Sequence, residues 1–244
     1  MCQFVPKITV FVCDLSSYAG SKEILAAKVT CPPRVDPSTI LNEFLGGSDG
    51  VLVPACNPDE CEHVSGTLHT RRNVEITKRL MEEIGLAVER LLLADVSPED
   101  REGLVKVAGQ FKEEIADLGP IRSERGLKKE ELDNRLKAAV NASGSKRVKW
   151  LVGRERPLVT KQNEFGESVP QDFYDSVTDD AVREEYLASG ITLLLEGQQM
   201  SVRELSEKMG VPADRILMSV MELRASGKVA VSEVRGKSPL YKVK

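Results

Sequence analysis

Histidine is scarce in this chain, with only His63 and His69 among 244 residues. No Ser/His/Asp or Cys/His arrangement can be built from so few, so hydrolysis and group transfer by a nucleophile–base pair are not expected. The first strand-like run, ITVFV, is followed by Cys13-Asp14-Leu15-Ser16-Ser17-Tyr18-Ala19-Gly20. That stretch lacks the G-x-G-x-x-G spacing that lets a backbone approach a pyrophosphate, and dinucleotide binding at this turn is disfavoured. No uncharged run approaches the roughly 20 residues of a membrane span, and MCQFVPKITV has no charged leader, apolar core or cleavage site. The formal charge of −4 and a pI near 5.5 give no overall attraction to nucleic acid or anionic lipid. Five cysteines make an odd number, so a secreted disulfide framework is not expected and the compartment reads as cytoplasmic and reducing.

Four of those cysteines stand in one pattern. Three short, apolar, β-branched segments, ITVFVC, AAKVTC and GVLVPAC, end on Cys13, Cys31 and Cys56, and Cys61 follows after Asn57-Pro58-Asp59-Glu60. Such segments read as strands buried on both faces of a parallel sheet. Their cysteines then lie at carboxyl ends, where open α/β sheets place ligands at the point of strand-order reversal.

The helices between and after these strands are legible from their caps. Asp36 with Pro37 starts a helix whose stripe is Ile40, Leu41, Phe44 and Leu45. A second helix runs from about Leu68 to Ile84 and stops at Gly85. Leu91 to Val96 reads as a fourth strand, and Ser97-Pro98-Glu99 opens a helix carrying Leu104, Ala108, Phe111, Ile115 and Leu118 inward. The fold class is therefore α/β: a parallel-sheet, flavodoxin- or Rossmann-like amino-terminal domain with right-handed crossovers, residues 1–120. Residues 121–179 read as a docking arm, with one helix near Lys128 to Ala142 and no clear period around Trp150 and several prolines. Residues 180–244 read as a winged-helix domain. There, a helix to Glu196 is followed by a capping box at Ser201 and Glu204, a turn at Gly210, and a helix with Ile216, Leu217, Val220, Met221 and Leu223 inward. A hairpin turning at Arg235-Gly236-Lys237 completes it.

Spacing leaves three readings of the cysteines open. Structural zinc sites pair cysteines closely twice, whereas only Cys56-x4-Cys61 is close here. Iron–sulfur sites accept one close pair with two distant ligands. Buried cysteines without a ligand are also common. Cys2 is a bystander at the terminus.

The surrounding motifs carry a resemblance. Phe11-Val12-Cys13, Ser17-Tyr18-Ala19-Gly20, Arg34-Val35-Asp36-Pro37, Asp49-Gly50-Val51-Leu52-Val53, Cys56-x4-Cys61 and Gly66 with Arg71-Arg72 together resemble the delta subunit of methyl-viologen-reducing hydrogenase, the hydrogenase iron–sulfur subunit family. The likeness spans roughly Lys7 to Leu118. It implies one [2Fe-2S] cluster on Cys13, Cys31, Cys56 and Cys61. It also implies electron relay between an oxidoreductase partner and a heterodisulfide-reductase-A-like flavoprotein, in a complex that can be electron-bifurcating. The sequence departs from the family at Ser16, where a second cysteine usually stands, and at Asn57 and Glu62, where histidine is frequent.

Around the site, His63 reads as a hydrogen-bond donor near the cluster, a ligand or a surface residue, and Asp59 and Glu60 as charges opposing reduction with Arg34, Arg71 and Arg72 offsetting them, or all five as solvated charges. The arm and winged helix are expected to bind protein, with Trp150, Phe165, Phe173 and Tyr174 as contacts. The alternative is a redox- or metal-sensing winged-helix transcription regulator. Its third helix, however, offers the mixed set Asp214, Arg215, Ser219, Glu222 and Arg224 rather than a basic reading face.

Overall fold

The structure, a computed structural model, describes residues 4–57, 66–97 and 99–244. Among them, four parallel strands, β1 (Ile8–Cys13), β2 (Ile24–Val29), β3 (Gly50–Ala55) and β4 (Leu91–Asp95), form one sheet in the order β2-β1-β3-β4. The order reverses between β1 and β3, because the chain steps from β1 outward to β2 and then returns to the other side. Side-chain alternation divides the core. Ile8, Val10 and Val12 of β1 and Leu52 of β3 face α3 (Arg101–Leu118), which covers them with Leu104, Ala108, Phe111 and Ile115. Phe11, Val51 and Val53 face the opposite layer, built from α1 (Pro37–Leu45) and α2 (Gly66–Ile84). Each fully buried Leu, Ile or Phe stabilises by about 1.5–3 kcal/mol, so both strand faces are committed.

The helix starts follow the chemistry of the cap residues. Asp36 accepts from the Thr39 backbone N–H at 2.8 Å, and Pro37 occupies the first turn, where its missing N–H costs nothing. The cap of α3 is Asp100, not Ser97: its carboxylate accepts from the Gly103 N–H at 2.8 Å, three residues later than the capping-box reading places the start. β2 is also less buried than a central strand. As an edge strand it buries only Ile24, and Leu25 is exposed. The link from β1 to β2 contains no helix. It packs Tyr18 into the α3 side of the core and turns at Gly20, where φ is +76° and a Cβ would sit 2.3 Å from the Ile24 carbonyl oxygen.

Residues after 120 fold back onto this sheet domain. α4 (Lys129–Ser143) inserts Leu132, Leu136, Ala139 and Ala142 into the same core as α1 and α2. The stretch around Trp150, expected to be irregular, is largely helical: α5 (Lys146–Thr160) is capped by Ser145, and its Val148 joins the buried cluster that holds Val35. α6 (Gln171–Leu195) is longer at its start than the sequence indicates and runs through position 180. Its Val182 packs into the sheet domain, while Leu187, Ile191 and Leu195 enter a separate carboxyl-terminal core.

That second core is completed by α7 (Val202–Met209), α8 (Ala213–Ala225) and an antiparallel hairpin, β5 (Val229–Arg235) with β6 (Ser238–Val243). The Ser201/Glu204 capping box is formed. In α8 the inward stripe is Ile216, Val220 and Leu223, whereas Leu217 and Met221, expected inside, are 42% and 52% exposed. They lie one position around the helix from the buried row.

Candidate functional site

Three described cysteines lie at the carboxyl edge of the sheet. Cys13 is the last residue of β1, Cys56 follows β3 directly, and Cys31 comes two residues after β2. Each is half-buried. Cys13 and Cys56 line one narrow crevice with Ser16, Pro32, Pro54, Ser97 and Leu104, at the position of strand-order reversal. Cys31 adjoins it through Pro32.

Local structure fixes each thiol. The Cys13 Sγ donates to the Thr30 carbonyl at 3.6 Å, across the β1–β2 ladder, where Cys13 pairs with Val29. The Cys31 carbonyl accepts from Arg34 N at 3.0 Å and so closes the tight turn Pro32–Arg34. The Cys56 carbonyl accepts from the Thr67 hydroxyl at 2.8 Å, tying it to the first turn of α2. Ser16, buried at the wall of the crevice, accepts from Tyr18 N at 3.3 Å, and its own N–H donates to the Cys13 carbonyl at 2.9 Å. It therefore shapes the turn that carries Cys13.

Cys61 falls outside the described residues, as do His63, Asp59, Glu60, Glu62 and Cys2. Among the described residues no three His, Cys, Asp or Glu side chains converge closely enough to hold a metal ion. The donor chemistry nevertheless fits an iron–sulfur group: sulfur ligands on rigid strand ends, within an apolar wall of Val12, Pro54, Val96 and Leu104.

The charges expected to flank the thiols are used differently. Arg71 pairs with Asp95 at 2.6 Å, at the end of β4. Arg72 is 3% exposed and belongs to the junction with α5 and α6: it meets Glu155 and Asp175 at 3.2 Å each, donates to the Thr178 hydroxyl at 3.1 Å, and lies 5.1 Å from the Tyr174 ring centre. Burial lowers the affinity of this guanidinium for its proton, but Glu155 and Glu75 outweigh burial and raise its pKa. Tyr174 is accordingly no surface anchor. It is buried, and its hydroxyl donates to the Leu151 carbonyl. Trp150, Phe165 and Phe173 are exposed.

Sequence reasoning missed a second buried arginine at the opposite edge. Arg90, 1% exposed, meets Glu124 at 2.5 Å and donates to the carbonyls of Asp49 and Gly119 at 3.0 Å each. The Asp49 carboxylate in turn accepts from the N–H groups of Lys7 and Ile121 at 2.9 and 3.0 Å. Nothing in the spacing of Arg90 signals this, because its partners Asp49, Gly119 and Glu124 are all remote from it in sequence.

The domain that forms this crevice has relatives among known proteins. Residues 8–119 match the family model "Methyl-viologen-reducing hydrogenase, delta subunit". The iron-sulfur subunit of an F420-non-reducing hydrogenase from Archaeoglobus profundus is 28% identical over 134 residues, half of this chain and 98% of that protein. The iron-sulfur subunit of the F420-non-reducing hydrogenase vhc of Methanococcus voltae is 28% identical over 126 residues, 47% of this chain and 88% of that protein. One subunit of the ferredoxin/F(420)H(2)-dependent CoB-CoM heterodisulfide reductase from Methanosarcina acetivorans is 32% identical over 130 residues, 49% of this chain but only 16% of that much longer protein. The chain thus spans about a sixth of the length of the heterodisulfide reductase subunits it matches. It is through its sheet domain, residues 8–119, that this chain is similar to the methyl-viologen-reducing hydrogenase delta subunit.

Proposed function

We propose that this chain is an electron-transfer subunit with no catalytic site of its own, carrying one [2Fe-2S] cluster on Cys13, Cys31, Cys56 and Cys61. The observation that carries the reading is the arrival of three cysteines at one sheet edge, two of them in a single crevice at the strand-order reversal. When bound, such a cluster supplies one-electron storage at a potential tuned by hydrogen bonds and burial. The protein's own part is to hold thiolates on rigid strand ends, to set the Cys13 sulfur against the Thr30 carbonyl, and to keep water out with Pro54, Val96 and Leu104.

The partners proposed are a heterodisulfide-reductase-A-like flavoprotein and a further oxidoreductase, the whole working in the cytoplasm and open to electron bifurcation. Relatives support this. The same domain makes up nearly all of a hydrogenase iron-sulfur subunit and also lies within a longer heterodisulfide reductase subunit. Among the described residues no helix is long and apolar enough to cross a membrane. The carboxyl-terminal helices and hairpin are read as a winged helix used for protein contact. On α8 the exposed positions include Leu217, Met218 and Met221 rather than a basic row, which disfavours the regulator alternative.

The test is iron content, visible absorption and reduced-state EPR of anaerobically purified protein. Cys61→Ser should lose or destabilise the cluster, and Cys2→Ser should leave iron unchanged. Normal iron and an unchanged EPR signal in Cys61→Ser would overturn the four-ligand assignment.

A further inference from the structure

We propose that the solvent-facing stripe of α5, formed by Lys146, Lys149, Trp150, Gly153 and Arg154, docks the acidic surface of a small redox protein beside the thiol edge. The inference rests on the electron-transfer reading above and gives it a surface and a partner chemistry.

The stripe follows from helix geometry. Its members stand at i, i+3, i+4, i+7 and i+8, one face of a 3.6-residue helix, and all five are exposed. The opposite face is committed to the interior through Val148 and Leu151. The only acid on the helix, Glu155, turns inward onto Arg72 at 3.2 Å, and the neighbouring cation Arg147 is taken by Glu184. Three cations around one indole therefore remain on that face, in a chain whose formal charge is −4. A face so biased selects an acidic counterpart. Its exposed tryptophan has the amphipathic bulk that interface centres use.

Gly153 is a second, independent sign. A Cβ at this position would meet nothing within 4 Å, so no packing inside the chain requires glycine there. Glycine is nevertheless the poorest helix former after proline. Pro157, one turn on, has no N–H to give the Gly153 carbonyl. The pair leaves a position without a side chain between Trp150 and Arg154, against which another protein's surface can rest.

The stripe also sits in the right place. Val148 shares a buried cluster with Val35, four residues beyond Cys31. Asn73 of α2 donates to the carbonyls of Pro33 and Val35 at 3.3 and 3.1 Å, and the adjacent Arg72 binds Glu155 of α5. Lys149 lies near enough to Asp36 to help lower its carboxyl pKa. A redox protein seated on this face would lie against the Cys31 side of the sheet edge. Nucleic acid is the poorer fit, since three cations make few phosphate contacts and base reading needs polar side chains where the stripe has an indole and a glycine.

The experiment is calorimetric titration of the full-length, anaerobically purified chain with a small acidic [2Fe-2S] ferredoxin as the probe, at low and at physiological salt. Wild type should bind with an affinity that falls as salt rises. The triple variant Lys146→Glu, Lys149→Glu, Arg154→Glu should bind at least about ten-fold more weakly and lose most of the salt dependence. Trp150→Ala should also weaken binding about ten-fold while keeping the salt slope. Unchanged thermal melting and iron content in the variants establish that the fold and the site are intact. Absence of salt-dependent binding by wild type, or equal binding by the triple variant, overturns the docking face while leaving the electron-carrying reading in place. So does a duplex DNA that competes with the ferredoxin and is itself lost in the triple variant. Wild type without iron would instead sink the electron-carrying reading, on a different readout.

Discussion

The two edges of the sheet are finished with opposite chemistry. At the amino edge, Arg90, Glu124 and Asp49 interlock residues just before β1, β3 and β4 with the turn after α3, and the charges are almost wholly withdrawn from water. At the carboxyl edge the described cysteines are half-buried, on strand ends and tight turns. A buried ion pair contributes to stability only while every member is present, and losing one leaves a charge stranded. A thiol contributes little to stability and is available to a ligand. The fold is thus clamped at the edge away from the proposed cluster site, so that edge need not carry the fold's stability.

The sharpest way to break this division is at Arg90. Arg90→Leu should cost about 3–5 kcal/mol in urea unfolding, because Glu124 and the Asp49 and Gly119 carbonyls lose their donor together. Cys13→Ser should cost under about 1 kcal/mol in the metal-free protein. Equal losses in the two variants would erase the distinction between the edges. Arg72→Leu comes next, at about 2 kcal/mol, less than Arg90 because its partners Glu155 and Asp175 keep 24% and 34% exposure and are partly screened. Its signature is earlier proteolysis within α5 with the sheet domain intact, and a single concerted loss of both would contradict a junction role.

Asp36→Ala, on the carboxyl side, should cost about 1 kcal/mol through loss of the α1 cap. Burial raises the Asp36 pKa, but hydrogen bonds from Thr39 and Ser38 and the field of Lys149 outweigh it and lower the carboxyl below its ordinary value. A lowered carboxyl pKa stabilises the fold above its unfolded value, and that stability is lost as pH falls through the folded value. The wild-type advantage over Asp36→Ala should thus shrink as the solution is acidified below the ordinary carboxylate range, and an advantage independent of pH would count against the cap. Smallest of all, Gly153→Ala should raise stability by about 0.5–1 kcal/mol in the same urea assay, since its Cβ finds open space on an exposed helix face. A destabilising result would mean that glycine serves packing within the chain.

Much of this arrangement was legible in the amino-acid order. The apolar runs ITVFVC and GVLVPA fixed central strands, Asp36-Pro37 fixed the start of α1, and Ser201 with Glu204 fixed that of α7, because each depends on neighbours within a turn or a strand. Cys13 at the end of β1 and Cys56 directly after β3 followed from the same local rules, whereas Cys31 lies two residues beyond β2. α5 was not legible, since Gly153 and Pro157 interrupt the helical signal, and the helix persists by burying Val148 and Leu151 against distant segments. The exposure of Leu25, Leu217 and Met221 was equally hidden. Hydrophobic periodicity marks a face but does not say whether another element covers it. Arg72 and Arg90 show the limit most clearly. By itself the sequence determined the central strands and the caps at Asp36 and Ser201, since these rest on short-range sterics and hydrogen bonds. Only the tertiary structure decided which arginines became buried clamps, because a charge enters a protein interior only where partners from remote segments converge on it.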